Sequence, residues 1–199
     1  GKLELDQVQS NRAQLIERRI EEEVSQEQGT SQDLGFWVQG TPWPEVAAIR
    51  DVTPPLAGES LDKYLHRMGG RHFSAHELTR LPKWRRNVEP IREDWPNIIP
   101  ALRLAEILRY ELGGNPLLTQ SGYRPRRYNK SIGGARNSQH VHFRALYLSL
   151  DTEQAGDEAQ RRRLYEVAAR LFSRYGAELK MGLGFYAPKR GTTVSIDTG

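Results

Sequence analysis

The sequence predicts an α+β fold: a small, mainly antiparallel sheet with packed helices, preceded by an N-terminal helix and a Pro-rich arm. Three observations carry this reading. Two long segments, 96–112 and 158–175, repeat apolar residues at helical spacing. Four short runs, 116–121, 144–150, 181–186 and 192–196, read as strands. The last two of these are joined by Ala187-Pro188-Lys189-Arg190-Gly191, a turn, which makes them a hairpin.

The elements follow in chain order. Residues 3–28 read as a helix, with Val8, Arg12, Ile16, Ile20 and Val24 recurring every fourth residue. The apolar stripe is thin, so the helix needs a surface to dock on, and a coiled-coil segment is the alternative. Residues 1–30 are therefore set apart as an N-terminal helix. Residues 31–70 are set apart as an arm, within which 34–60 change character. Gly35, Gly40, Pro42, Pro44, Pro54, Pro55 and Gly58 exclude a long helix there. Phe36, Trp37 and Trp43 are expected to anchor this extended arm by packing, with stacking on sugar rings as the alternative.

A globular domain is expected over 71–199. Ser74 with Glu77 three positions on is a capping box that opens a short helix. His72 and His76 stand four apart, but Phe73 and Ser74 put His72 ahead of the helix, against a metal pair. In 96–112 the face is Ile99, Leu102, Leu104, Ala105, Ile107, Leu108 and Leu112, and Gly113-Gly114 ends it. In 158–175 it is Leu164, Val167, Ala168, Leu171 and Phe172, with Arg161, Arg162 and Arg163 outside and Gly176 expected to close the helix.

Composition bounds the function. The 199 residues carry a net charge of +4 and 37% hydrophobic residues, and mean hydropathy is −0.69. No apolar run approaches the roughly 20 residues of a membrane span. No signal peptide is visible, and a start at Gly1-Lys2-Leu3 suggests a trimmed or mature form. There is no Cys, so any metal would need His, carboxylate or phenolate ligands. Between Leu112 and Leu150 there is no Asp or Glu, while Arg124, Arg126, Arg127, Lys130, Arg136 and Arg144 fall there. Such a segment beside a cleft favours an anionic ligand; a solvated basic face is the plain alternative.

The chemistry-bearing residues sit in the same segment. It contains Ser121-Gly122-Tyr123-Arg124, then Asn137-Ser138-Gln139-His140, then Ala145 and Tyr147. Near the end come Gly182-Leu183-Gly184-Phe185-Tyr186 and Val194-Ser195-Ile196-Asp197-Thr198-Gly199. In this order the blocks resemble the zinc D-Ala-D-Ala carboxypeptidase and peptidoglycan endopeptidase family of the hedgehog-like fold. The likeness covers roughly 71–199. In that family Ser-Gly-Tyr-Arg is followed by Ser-x-His-x-x-Gly-x-Ala-x-Asp, whose His and Asp bind zinc. A third ligand, a His, lies in a segment like Val-His-Ile-Asp-Thr-Gly.

His140 matches the first ligand of that pattern. Tyr147 stands where the Asp should be and Ser195 where the last His should be. Phe143 replaces the Gly, and is expected to crowd the site. Gly191, Thr192 and Thr193 occupy the positions near which many members carry a carboxylate base. Phenol and hydroxyl are poor zinc ligands at neutral pH. The best rescue set is His140, His142 and Asp197, with His140 and His142 on one side of a strand. Otherwise His140 is expected to hydrogen-bond Tyr147 or Ser195 in a relic pocket. The resemblance further implies that Arg124 faces the cleft and holds a peptide carboxylate; a structural Arg bonded to loop carbonyls is the alternative.

The resulting expectation is a catalytically inactive, peptidase-like protein without a cofactor. It would bind a peptidoglycan peptide or an envelope protein, in the bacterial periplasm or secreted. The binding residues would be Arg124, Arg126, Ser138, His142 and Asp197. An active zinc peptidase with an altered ligand set is the alternative. A nucleic-acid module ranks last, because no recognition helix or stacking motif accompanies the charge.

Overall fold

A computed structural model describes residues 43–151, 156–186 and 193–199. The chain divides into two units between Pro42 and Trp43. The expected N-terminal helix, Phe36, Trp37 and the turn at 187–191 lie outside the described residues.

The second unit is α+β. Helices α1 (Val46–Arg50), α2 (Leu61–Arg67) and α3 (Ala75–Thr79) come first, then a two-stranded hairpin of β1 (Arg80–Leu81) and β2 (Arg86–Asn87). A 3-10 stretch, Arg92–Ile98, leads into α4 (Ile99–Glu111). There follow β3 (Leu117–Ser121), α5 (Arg126–Ser131), β4 (Ala145–Leu150), α6 (Glu158–Leu179), β5 (Met181–Tyr186) and β6 (Thr193–Thr198). The four long strands form one sheet in the order β3-β4-β6-β5, and every pairing is antiparallel.

Alternation along the strands decides which face is covered. Leu146, Leu148, Val194 and Ile196 point to one side and are fully buried. That side packs on α4, through Leu102, Leu104, Ala105 and Leu108, and on α6, through Leu164, Val167, Ala168 and Leu171. Ser121, Tyr147, Ser195 and Asp197 lie on the other side. Among the described residues no helix is long and apolar enough to cross a membrane.

Caps sit where the sequence puts them, with two corrections. Ser74 and Glu77 form the capping box of α3, each accepting from the other's backbone N–H. In α6, Gly176 does not close the helix. It is buried inside it, and Phe172 carbons lie 3.3 Å from where a Cβ would stand. The helix runs on to bury Leu179, and Lys180 takes the left-handed stop at φ 47°. Phe172 itself is exposed rather than on the core face.

Residues 43–70 differ from an extended arm: Ile49, Leu61, Tyr64 and Leu65 of α1 and α2 are core residues. Trp43 packs as expected, stacked on Tyr175 and donating from Nε1 to Glu111 at 3.0 Å. Arg103, a cation on the inner face of α4, holds this segment in place. Its guanidinium donates to the carbonyls of Met68, Ala48, Ile49 and Asp51. His72, rather than sharing a metal with His76, hydrogen-bonds Glu106 at 2.6 Å.

Candidate functional site

The site face begins with a register shift. β3 pairs with β4 through Leu117, Leu118 and Thr119, and then the ladder slips, so that Ser121 faces Tyr147. The irregularity moves Ser121 from the parity of the core face to that of the site face. Tyr147 in turn pairs with Ser195 on β6, and Ser195 with Gly184 on β5. Ser121, Tyr147 and Ser195 thus form one row of hydroxyls across three strands. Cross-strand partners lie about 5 Å apart at their Cβ atoms.

The chain leaves β3 through Gly122, which passes hard against α3. A Cβ there would stand 2.4 Å from the Leu78 carbonyl oxygen, and Tyr123 N–H donates to that oxygen at 2.7 Å. Only glycine fits this approach. The same residue turns its own carbonyl towards His140, whose Nδ1 lies 2.6 Å away. A carbonyl only accepts, so Nδ1 carries the proton and the neutral ring keeps its lone pair on Nε2.

His140 is buried, and burial pushes its pKa down to about 4, with the Arg124 charge adding to the effect and the Gly122 hydrogen bond opposing it. It is neutral at physiological pH. Arg124 is tied to the same place twice. Its backbone N–H donates to the His140 carbonyl at 3.0 Å, and its Nε donates to Ser121 Oγ at 2.6 Å. The Ser-Gly-Tyr-Arg block thereby works as a unit: Ser121 orients the guanidinium, Gly122 the imidazole.

Several expectations need correction. His140 and His142 are not on a strand; Gln139–His142 is a 3-10 turn. At that pitch residues two apart point in different directions, so His140 is buried while His142 is exposed. His140, His142 and Asp197 do not converge, and no group of three or more His, Cys, Asp or Glu that could hold a metal occurs among the described residues. Asp197 is turned to β5, where its carboxylate lies over Gly182 and accepts that residue's N–H; burial raises its pKa against this bond.

Phe143 does not crowd the pocket either. It occupies a left-handed backbone position, φ 52°, which explains the family's Gly there. Its ring is fully buried in the core, edge-on to Tyr123 at 5.9 Å. Ser138 precedes the 3-10 turn without a side-chain cap bond. Arg126 is exposed at the first position of α5. Nδ1 of His140 takes the Gly122 carbonyl rather than Tyr147 or Ser195. Two participants were missed: Ser121, quoted in its block without a role, and Asn97, whose Nδ2 donates to the His142 carbonyl at 3.1 Å. No local pattern marks Asn97.

His140, Tyr147 and Ser195 therefore offer an imidazole nitrogen, a phenol and an alcohol. That set does not fit zinc, which wants three ligands from imidazole, carboxylate or thiolate. The His140 ring alone is prepared as a ligand would be, its Nδ1–H held by a carbonyl and Nε2 left basic.

Comparison with curated proteins finds no match. The family model described as Peptidase M15 matches residues 71–175. The match contains His140, Tyr147 and the whole Ser-Gly-Tyr-Arg block. Ser195 lies beyond it, and its pairing with Tyr147 is what places it in the site. The matched stretch is a little more than half of the 199 residues, and the chain belongs to the Peptidase M15 family.

Proposed function

We propose that this Peptidase M15 member binds a carboxylate-bearing peptide of the cell wall without cleaving it, in the periplasm or outside the cell. The observation that carries the reading is the row Ser121–Tyr147–Ser195, whose first strand runs on into Gly122, the residue whose carbonyl holds the neutral His140. Two of the three positions that the family resemblance gives to metal ligands hold hydroxyls. The carboxylate on that face, Asp197, is engaged with the Gly182 backbone. The face suits recognition: Arg124, oriented by Ser121, brings a cation to it, and the row brings hydroxyl groups. An envelope protein presenting a C-terminal carboxylate would meet the same chemistry.

An active peptidase with an altered ligand set is the second reading. The Nδ1–H of His140, held by the Gly122 carbonyl, supports it, because the same arrangement serves metal-bound imidazoles. Elemental analysis of protein purified without chelator separates the two. Far less than one zinc per chain is expected; stoichiometric zinc that is lost in His140→Ala overturns the first reading. Calorimetry with a D-Ala-D-Ala-terminated stem peptide tests the ligand. Arg124→Ala should weaken binding by about ten- to a hundred-fold, as loss of one charged hydrogen bond worth roughly 1.5–3 kcal/mol requires.

A further inference from the structure

A second basic surface lies beyond the pocket. The β1–β2 hairpin and α5 are far apart in sequence but joined in space: Trp84 meets Tyr128 edge-on at 5.1 Å. The Lys83 N–H donates to Tyr128 Oη at 3.4 Å, and the Lys83 ammonium reaches the Ser131 carbonyl. This union brings the hairpin that carries Lys83, Arg85 and Arg86 against the helix α5 that carries Arg126, Arg127 and Lys130, all exposed. Among the described residues none of these six pairs with a carboxylate. The chain as a whole carries only +4, so everything outside this surface is net acidic. Like charges at i, i+4, as in Arg126 and Lys130, disfavour a helix. A cluster that works against its own element points to a ligand that neutralises it.

We propose that this surface binds a linear polyol-phosphate polymer, gripping successive phosphodiester groups through its Arg and Lys side chains. Four of the six are Arg, whose planar fork matches phosphate oxygens. Nucleic acid offers the same phosphates, but the surface holds nothing to read or stack bases. α5 has six residues, too few to fill a groove. The Trp84 ring is already engaged by Arg86 above it at 5.0 Å and by Tyr128. A bilayer would want that ring free to insert, and it is half-buried between Tyr128 and Arg86.

The test uses the whole chain and a poly(glycerol phosphate) chain of defined length, followed by fluorescence anisotropy across a salt series. Binding is expected, with a log–log salt slope of about −3 or steeper, since each phosphate contact on a single strand contributes roughly −0.7. The variant R85G/R86Q/R127Q/K130Q, whose four sites are all exposed, should bind at least twentyfold more weakly while staying folded, its thermal unfolding lowered by no more than a few degrees through loss of the Arg86–Trp84 contact. Its affinity for the stem peptide should stay within threefold, so failure of the polymer proposal and failure of the pocket reading are separable. No binding by the natural chain, undiminished binding by the variant, or a slope shallower than about −1 overturns the proposal. So does tighter binding to single-stranded DNA of equal charge, or binding to phosphatidylglycerol vesicles without affinity for the polymer.

Discussion

The two faces of the four-stranded sheet are built from alternate residues of the same strands, yet they obey different rules. On one face Leu146, Leu148, Val194 and Ile196 are fully buried against α4 and α6. What they must be is apolar and of the right size. On the other face Ser121, Tyr147 and Ser195 stand in register across three strands, with Asp197 one pair further along. Their identity decides chemistry and contributes little to the core. The difference teaches how such a fold can change its chemistry. Substitutions on the site face leave the helix-covered face, and therefore the fold, intact.

The largest expected effect lies on the covered face. Leu148→Ala should destabilise the protein by about 2–5 kcal/mol in urea unfolding, because its side chain is fully buried and the cavity is hard to close. A loss below about 1 kcal/mol would break the comparison, since the two faces would then tolerate change alike.

Next comes pH. His140 titrates at about 4 in the fold and near 6.5 when unfolded. The unfolded chain therefore binds a proton first as pH falls. Stability from this group is fully present above about pH 6.5 and is lost progressively towards pH 4, by up to about 3 kcal/mol. Asp197, raised by burial, works in the opposite sense and weakly offsets the loss. Unfolding free energies measured from pH 7 to 4 should fall less steeply in His140→Gln than in the natural chain. Equal slopes would mean that the imidazole is not buried neutral.

Gly122→Ala sharpens the comparison at the seam between core and site. The added methyl meets the Leu78 carbonyl oxygen at 2.4 Å, so backbone must shift. A loss of roughly 1–3 kcal/mol is expected, together with a changed Nδ1 resonance of His140 in NMR, since Gly122 holds that proton. An unchanged His140 signal would separate the two roles of Gly122.

The smallest effect is at Ser195. Ser195→Ala should stay within about 0.5 kcal/mol of the natural stability. Its informative counterpart is the pair Tyr147→Asp with Ser195→His. Cross-strand partners carry these two positions, so the restored carboxylate and imidazole would stand side by side. Measurable zinc affinity by competition with a chromophoric chelator is the expected outcome. A folded double variant that ignores zinc would show that His140 does not face the row.

By itself the sequence determined the α+β class, the two long helices, the strand-like runs and the capping box at Ser74. Each of these is written in local periodicity or in one short spacing. It also marked Arg124, His140, Tyr147 and Ser195 as belonging together, through ordered blocks rather than through any local physics. The tertiary structure decided the rest. Phe143 looks like an obstruction in sequence, because periodicity cannot reveal a left-handed backbone that sends a ring into the core. His142 looks like a ligand only if the chain is extended, and whether it is extended or in a 3-10 turn depends on neighbours such as Asn97, 45 residues away. Arg103 and the union of the hairpin with α5 are equally silent in sequence. Each depends on partners that the chain brings together only after its apolar faces have found one another, and the sequence gives those faces without giving their docking.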